Sequence, residues 1–125
     1  MSLNGSDEKR ELSLEDIIQL ANRIGLEFVD KRKDAERLEL LRTSVRARLM
    51  NDIESAGETE GTKAIPEARL KRLAEAHPEY IDLLDRIAVS RAESEKLRIR
   101  YESYRNLFEA RRTMISFKKT EMKTL

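Results

Sequence analysis

Arg91, Arg98, Arg105, Arg112 and Lys119 recur at seven-residue intervals. Seven residues make close to two helical turns, so on a helix these cations share one stripe. Arg100, Arg111 and Lys118 stand near it, and Tyr101, Tyr104 and Phe108 lie beside it. Guanidinium groups grip phosphate oxygens, and aromatic rings at helical spacing can stack on unpaired bases. Together these are the parts of a groove for single-stranded nucleic acid. The candidate contacts are Arg91, Arg98, Arg100, Tyr101, Tyr104, Arg105, Arg111, Arg112, Lys118 and Lys119. A second reading needs no nucleic acid. Basic residues beside a helix seam pair with acids on a neighbouring helix, and seam Tyr and Phe are core. Glu27, Asp34, Glu36 and Glu39 are the acids available for that role.

Other constellations carry less. Lys31, Arg32 and Lys33, followed by Arg42, Arg46 and Arg48, form a second basic cluster, read here as a solvated face. The segment from Gly57 to Lys63 resembles a phosphate loop only in its glycines; it lacks the required spacing and carries two acids. His77, Glu79, Asp82 and Asp85 surround one helix start, where acids are expected from the helix dipole alone. With no Cys and a single His, thiol catalysis, disulfides and multi-His metal sites within one chain are excluded. No carboxylate pair stands out from the many surface acids as a general acid and base. The expectation is a non-enzymatic protein with no catalytic residue, metal or cofactor.

The elements that must position the stripe follow from composition and period. The chain has 125 residues, enough for one domain, of which 39% are charged and 39% apolar. So many charges suit long helices with narrow apolar seams better than a globule. The near-balance of 25 Lys+Arg against 24 Asp+Glu is uneven along the chain. Residues 91–125 hold ten Lys+Arg against five Asp+Glu, and residues 1–90 hold fifteen against nineteen. No apolar run reaches the ~18–20 residues of a membrane span, and no signal peptide is legible, so a cytoplasmic protein without membrane contact is expected.

Residues 1–12 read as a flexible tail, and 13–125 as a single helical domain. Ser13 and Asp16 have the spacing of a capping box. Ile17, Ala21, Ile24, Phe28, Ala35, Leu38, Leu41, Val45, Leu49 and Ile53 then repeat at helical period, predicting a helix over about 14–54 that Gly25 interrupts or kinks. Lys31 occupies one seam position. A loop follows over 55–64, then a short helix over about 65–76 opened by Pro66. The last helix spans about 78–119, free of Gly and of Pro after Pro78. One row of its seam reads Tyr80, Ile87, Ser94, Tyr101, Phe108, Ile115 and Met122, and the other Leu83, Ser90, Leu97, Tyr104, Arg111, Lys118 and Leu125; the seam is polar at Ser90 and Ser94, and the second row fades after Phe108. The fold class is therefore all-α: a long antiparallel, coiled-coil-like helical hairpin with a short intervening helix. Its core is thin enough that a homo-oligomer is expected.

The stretch from Arg91 to Ser116 has a tyrosine-bearing helix, a following Arg112-Thr113 pair and a lysine-rich end. In these features it resembles small helical phage recombination accessory proteins, of which the UvsY-type recombination mediators are the best-known class. The resemblance covers about residues 80–125. It implies a small, helical, oligomeric protein that helps a recombinase or annealing protein load on single-stranded DNA. It directs attention to Arg98, Tyr101, Arg105, Arg111, Arg112 and Lys118. The resulting expectation is an oligomeric accessory protein that binds single-stranded DNA and assists recombination or replication. The alternative is a coiled-coil assembly, adaptor or inhibitor protein that acts through protein contacts alone.

Overall fold

The computed structural model describes residues 12–59, 61 and 63–124, so the tail expected over 1–12 lies outside the described residues except for Leu12. Three helices account for the fold: α1 (Leu14–Thr59), α2 (Glu67–Glu75) and α3 (Pro78–Thr124). No strand occurs among the described residues. α1 and α3 pack against each other as a helical hairpin, and α2 lies in the connection between them.

The helix ends follow from local chemistry. The Ser13 Oγ accepts the Asp16 backbone N–H at 3.1 Å, and an Asp16 carboxylate oxygen accepts the Ser13 N–H at 3.2 Å. This reciprocal box occupies two donors that the first turn of α1 leaves without helical partners. At its other end α1 runs to Thr59, five residues past the end expected at 54. Gly57 is accommodated within the helix, and the stop falls at Gly61, whose φ of 72° is left-handed. Its N–H donates to the Glu58 carbonyl at 3.1 Å. A glycine that takes this conformation costs little, which is why it closes helices. α2 is shorter than the expected 65–76, because Pro66 stands just ahead of it rather than within it. His77 starts α3 ahead of Pro78: its Nδ1 accepts the Glu79 N–H at 3.1 Å, and its carbonyl accepts the Ile81 N–H at 3.1 Å. α3 continues to Thr124, beyond the expected 119, since the sequence holds neither Gly nor Pro there to stop it.

The described residues fall into two compact units. One comprises residues 30–94, including α2, and is centred on Leu49, Ala74 and Tyr80, with Val45, Met50, Ile53 and Leu84 packed around them. Leu83 and Ile87 continue its buried row along α3, and Ala35 faces inward from α1. Ser90 and Ser94, the polar positions of the seam, are also buried. No buried side-chain N or O atom among the described residues lacks a partner. Around this core the helices are tied by cross-helix ion pairs: Arg46 to Glu75 at 3.3 Å, Arg91 to Glu39 at 2.7 Å, Lys31 to Glu93 at 3.5 Å, and Arg48 to Glu79. The Tyr80 hydroxyl accepts the Arg42 Nε–H at 3.0 Å, and Arg42 also donates to Glu39. These bonds, that to Tyr80 first, raise the Arg42 pKa and hold its charge in place.

The other unit comprises the described residues before 30 and after 94. Its buried residues are Ile17, Ala21 and Ile24 of α1, and half-buried Leu97, Tyr101, Tyr104 and Phe108 face the seam from α3. Gly25 does not break α1. It makes room for a ring: a Cβ at this position would lie 3.0 Å from Cε1 and 3.2 Å from Cδ1 of Tyr101.

Two stability predictions follow from these packings. Leu49→Ala, at the centre of the three-helix core, is expected to cost about 2–5 kcal/mol in chemical denaturation, whereas Leu40→Ala, on an exposed site, should stay within about 0.5 kcal/mol. Gly25→Ala trades a helix-propensity gain of about 1 kcal/mol against displacement of the Tyr101 ring. The same substitution in a Tyr101→Ala background should therefore be more stabilising than in the parent. Equal effects in the two backgrounds would show that the ring does not require the glycine.

Candidate nucleic-acid interface

The stripe expected on α3 is helical throughout, so its members share the periodicity that the spacing predicts. They differ in what holds them. Arg91 pairs with Glu39 across the hairpin, one of the four acids expected to serve that role. Arg98 is held by two acids of its own helix. Its Nε donates to Glu95 at 3.0 Å and its Nη1 to Glu102 at 2.7 Å. The Arg98 bond draws the Glu95 carboxyl below its ordinary range, against a smaller opposing effect of desolvation; Glu95 and then Glu102 raise the Arg98 pKa in turn. Arg112 pairs with Glu109 at 3.1 Å, again within α3. Arg105 meets a ring, its guanidinium lying 5.8 Å from the Tyr101 centroid, at the outer limit of a cation–π contact.

The neighbouring cations are also distinguishable. Arg111 is half-buried, and its Nη1 donates to the Leu12 carbonyl just ahead of α1. Arg100, Lys118 and Lys119 are exposed and form no ion pair among the described residues. In the unit of residues 30–94 the cross-helix pairs join cations to acids on the facing helix. In the other unit no ion pair crosses between α1 and α3 among the described residues; the pairs there, at Arg98 and Arg112, lie within α3.

The aromatic candidates face inward more than a stacking platform needs. Tyr101 and Tyr104 are half-buried in the seam, and Tyr101 has Gly25 against its edge and Arg105 beside its ring. A groove of about 490 Å³ opens beside this contact, lined by Asn22, Gly25, Leu26, Phe28, Val29 and Tyr101. A smaller one, about 140 Å³, lies between Ile18 and Asn22 of α1 and Arg105 and Phe108 of α3. Asn22, Leu26 and Val29 were missed as neighbours of the tyrosine. Only the hairpin register brings them there, and one sequence does not print that register.

No group of three or more His, Asp or Glu side chains is placed to hold a metal among the described residues. His77 serves as the cap of α3. No helix is long and apolar enough to cross a membrane among the described residues. The chain matches no protein-family model, and no curated protein or solved structure is detectably similar to it.

Proposed function

We propose that the protein is a non-enzymatic, oligomeric accessory protein that binds single-stranded DNA along α3, and that it assists a recombination or replication protein as the UvsY-type resemblance implies. One observation carries the reading. After Arg91, the cations of the stripe are not used to hold α1 and α3 together. Exposed ion pairs within a single helix are weak and exchange readily for a phosphate. Arg98, Arg105, Arg112 and Lys119, with Arg100 close by, supply the phosphate contacts. Arg91 stays bound to Glu39 and Arg111 to the Leu12 carbonyl. Tyr101 and Tyr104 support the surface from beneath, and contribute little base stacking.

A preference for the single strand follows from shape. Successive stripe cations stand about 10 Å apart along a straight helix, a line that a flexible strand can follow. The sequence carries no helix-turn-helix signature that would place a helix in a duplex groove. Multimeric assembly belongs to the same proposal, since Ile17, Ala21 and Ile24 are the buried apolar residues of the unit that carries the stripe. A second reading, a partner-binding adaptor, is favoured by exposed apolar residues near the end of α3.

The test is a fluorescence-polarisation titration with single- and double-stranded oligonucleotides from about 50 to 200 mM salt, beside light scattering for mass. With about five phosphates neutralised, log Kobs should fall against log salt with a slope of about −3.5 on single strands. In the triple variant Arg98→Ala, Arg105→Ala, Arg112→Ala the slope should shrink to about −1.4, with affinity reduced at least about tenfold at low salt. Unchanged affinity in that variant, with helicity and mass intact, would remove the proposal and leave the adaptor reading.

A further inference from the structure

α3 outruns its partner helix. α1 begins at Leu14, and the Leu12 carbonyl meets Arg111. Residues 112–124 therefore extend beyond the start of α1, thirteen residues or about 20 Å of helix. The apolar seam does not end where α1 does. Met114, Ile115 and Met122 continue it and are 60%, 42% and 74% exposed. They lie within about 100° of one another around the axis, together with Lys118, and form the width of face that a packed helix buries. The stripe of Arg98, Arg105, Arg112 and Lys119 runs along the adjoining side, so the two faces are distinct. A groove of about 410 Å³ joins Leu12 and Leu14 to Met114, Ile115 and Lys118, marking where α1 stops covering the seam.

We infer that this overhang is the docking face for an acidic amphipathic helix of a partner protein. Charge decides between the possible occupants. Residues 112–124 hold four basic residues, Arg112, Lys118, Lys119 and Lys123, against Glu121 alone. A second copy laid antiparallel on the same face would set Lys118 near its counterpart and Arg112 and Lys119 along one shared edge, so like charges would oppose the apolar gain. Residues 1–11 hold Met1 and Leu3 as their large apolar side chains. A helix with Leu or Ile on its seam and Glu at the flanks satisfies both requirements: it covers Met114, Ile115 and Met122 and places a carboxylate against Lys118. This inference does not depend on the DNA-binding proposal, since it uses a different face of α3.

Two synthetic helical peptides of about three heptads test it, identical in their Leu/Ile seam and differing in flanking residues, Glu in one and Lys in the other. Each is labelled and titrated with the full chain at about 100 mM salt, with sedimentation of the chain alone in parallel. The acidic peptide should bind with a Kd of about 1–50 μM, and the basic one at least about tenfold more weakly. Ile115→Ser with Met122→Ser should weaken the acidic peptide at least about tenfold and leave oligonucleotide affinity unchanged. Lys118→Glu should narrow or reverse the preference between the peptides. Binding of neither peptide, or of both equally, would overturn the inference. So would self-association that the Ile115→Ser, Met122→Ser variant abolishes, which would assign the face to a second copy. Loss of oligonucleotide binding in that same variant would assign it to nucleic acid instead.

Discussion

Tyr80 packs its ring on Leu49 and Ala74, and its hydroxyl accepts a hydrogen bond from Arg42. This is where the three helices meet, and the unit of residues 30–94 depends on it. The ring is the largest side chain in the buried cluster. Its polar atom would be costly to bury without a partner, and Arg42 provides one from the facing helix. The same guanidinium reaches Glu39, and Glu39 reaches Arg91. A single buried tyrosine thereby anchors a line of charges that runs outward along both long helices. The ion pairs are individually weak at the surface, and those of Arg42 and Arg91 meet at Glu39.

Most of the fold was legible because it rests on period and punctuation. The spacing of Ile17, Ala21 and Ile24 marks the buried face of α1, and the tyrosine and leucine of the α3 seam are buried where expected. Ser13 and Asp16 form the capping box that their spacing predicts. Pro78 opens α3 as expected. The errors came from features whose meaning depends on a distant residue. Gly25 looked like a weakness in α1 because a single sequence shows its helix propensity but not Tyr101 beside it. The glycine pattern predicts an end of α1 near 54, but a helix tolerates one glycine, and α1 stops ahead of the glycine that adopts positive φ. Nothing in the composition of either glycine separates these two roles.

The stripe was legible as a pattern and illegible as chemistry. Seven-residue spacing fixes which side of α3 the cations occupy, and that much is helix geometry. Whether each meets an acid depends on what the hairpin places opposite. Arg91 meets Glu39, while Arg98 and Arg112 turn to acids three or four residues away on their own helix. Those local pairs were present in the sequence at helical spacing, but the competition between local and cross-helix partners is settled only by the register. The tyrosines illustrate the same limit. Their spacing fits both a core and a stacking surface, and half-burial against Gly25 moves Tyr101 toward the core.

The division of charge has a physical consequence for where function resides. Folding demands of a cation only that it find a carboxylate or water, and in residues 30–94 the cross-helix pairs meet that demand while also tying helix to helix. In the unit of residues 12–29 and 95–124 Arg111 reaches the Leu12 carbonyl, but the α3 cations make no ion pair with α1 among the described residues, yet the basic excess of the chain is concentrated there. An excess of like charge on one helix opposes compaction through self-repulsion and contributes nothing to the core. The cations of α3 there are met locally instead, Arg98 by Glu95 and Glu102 and Arg112 by Glu109, while Arg100, Lys118 and Lys119 face solvent.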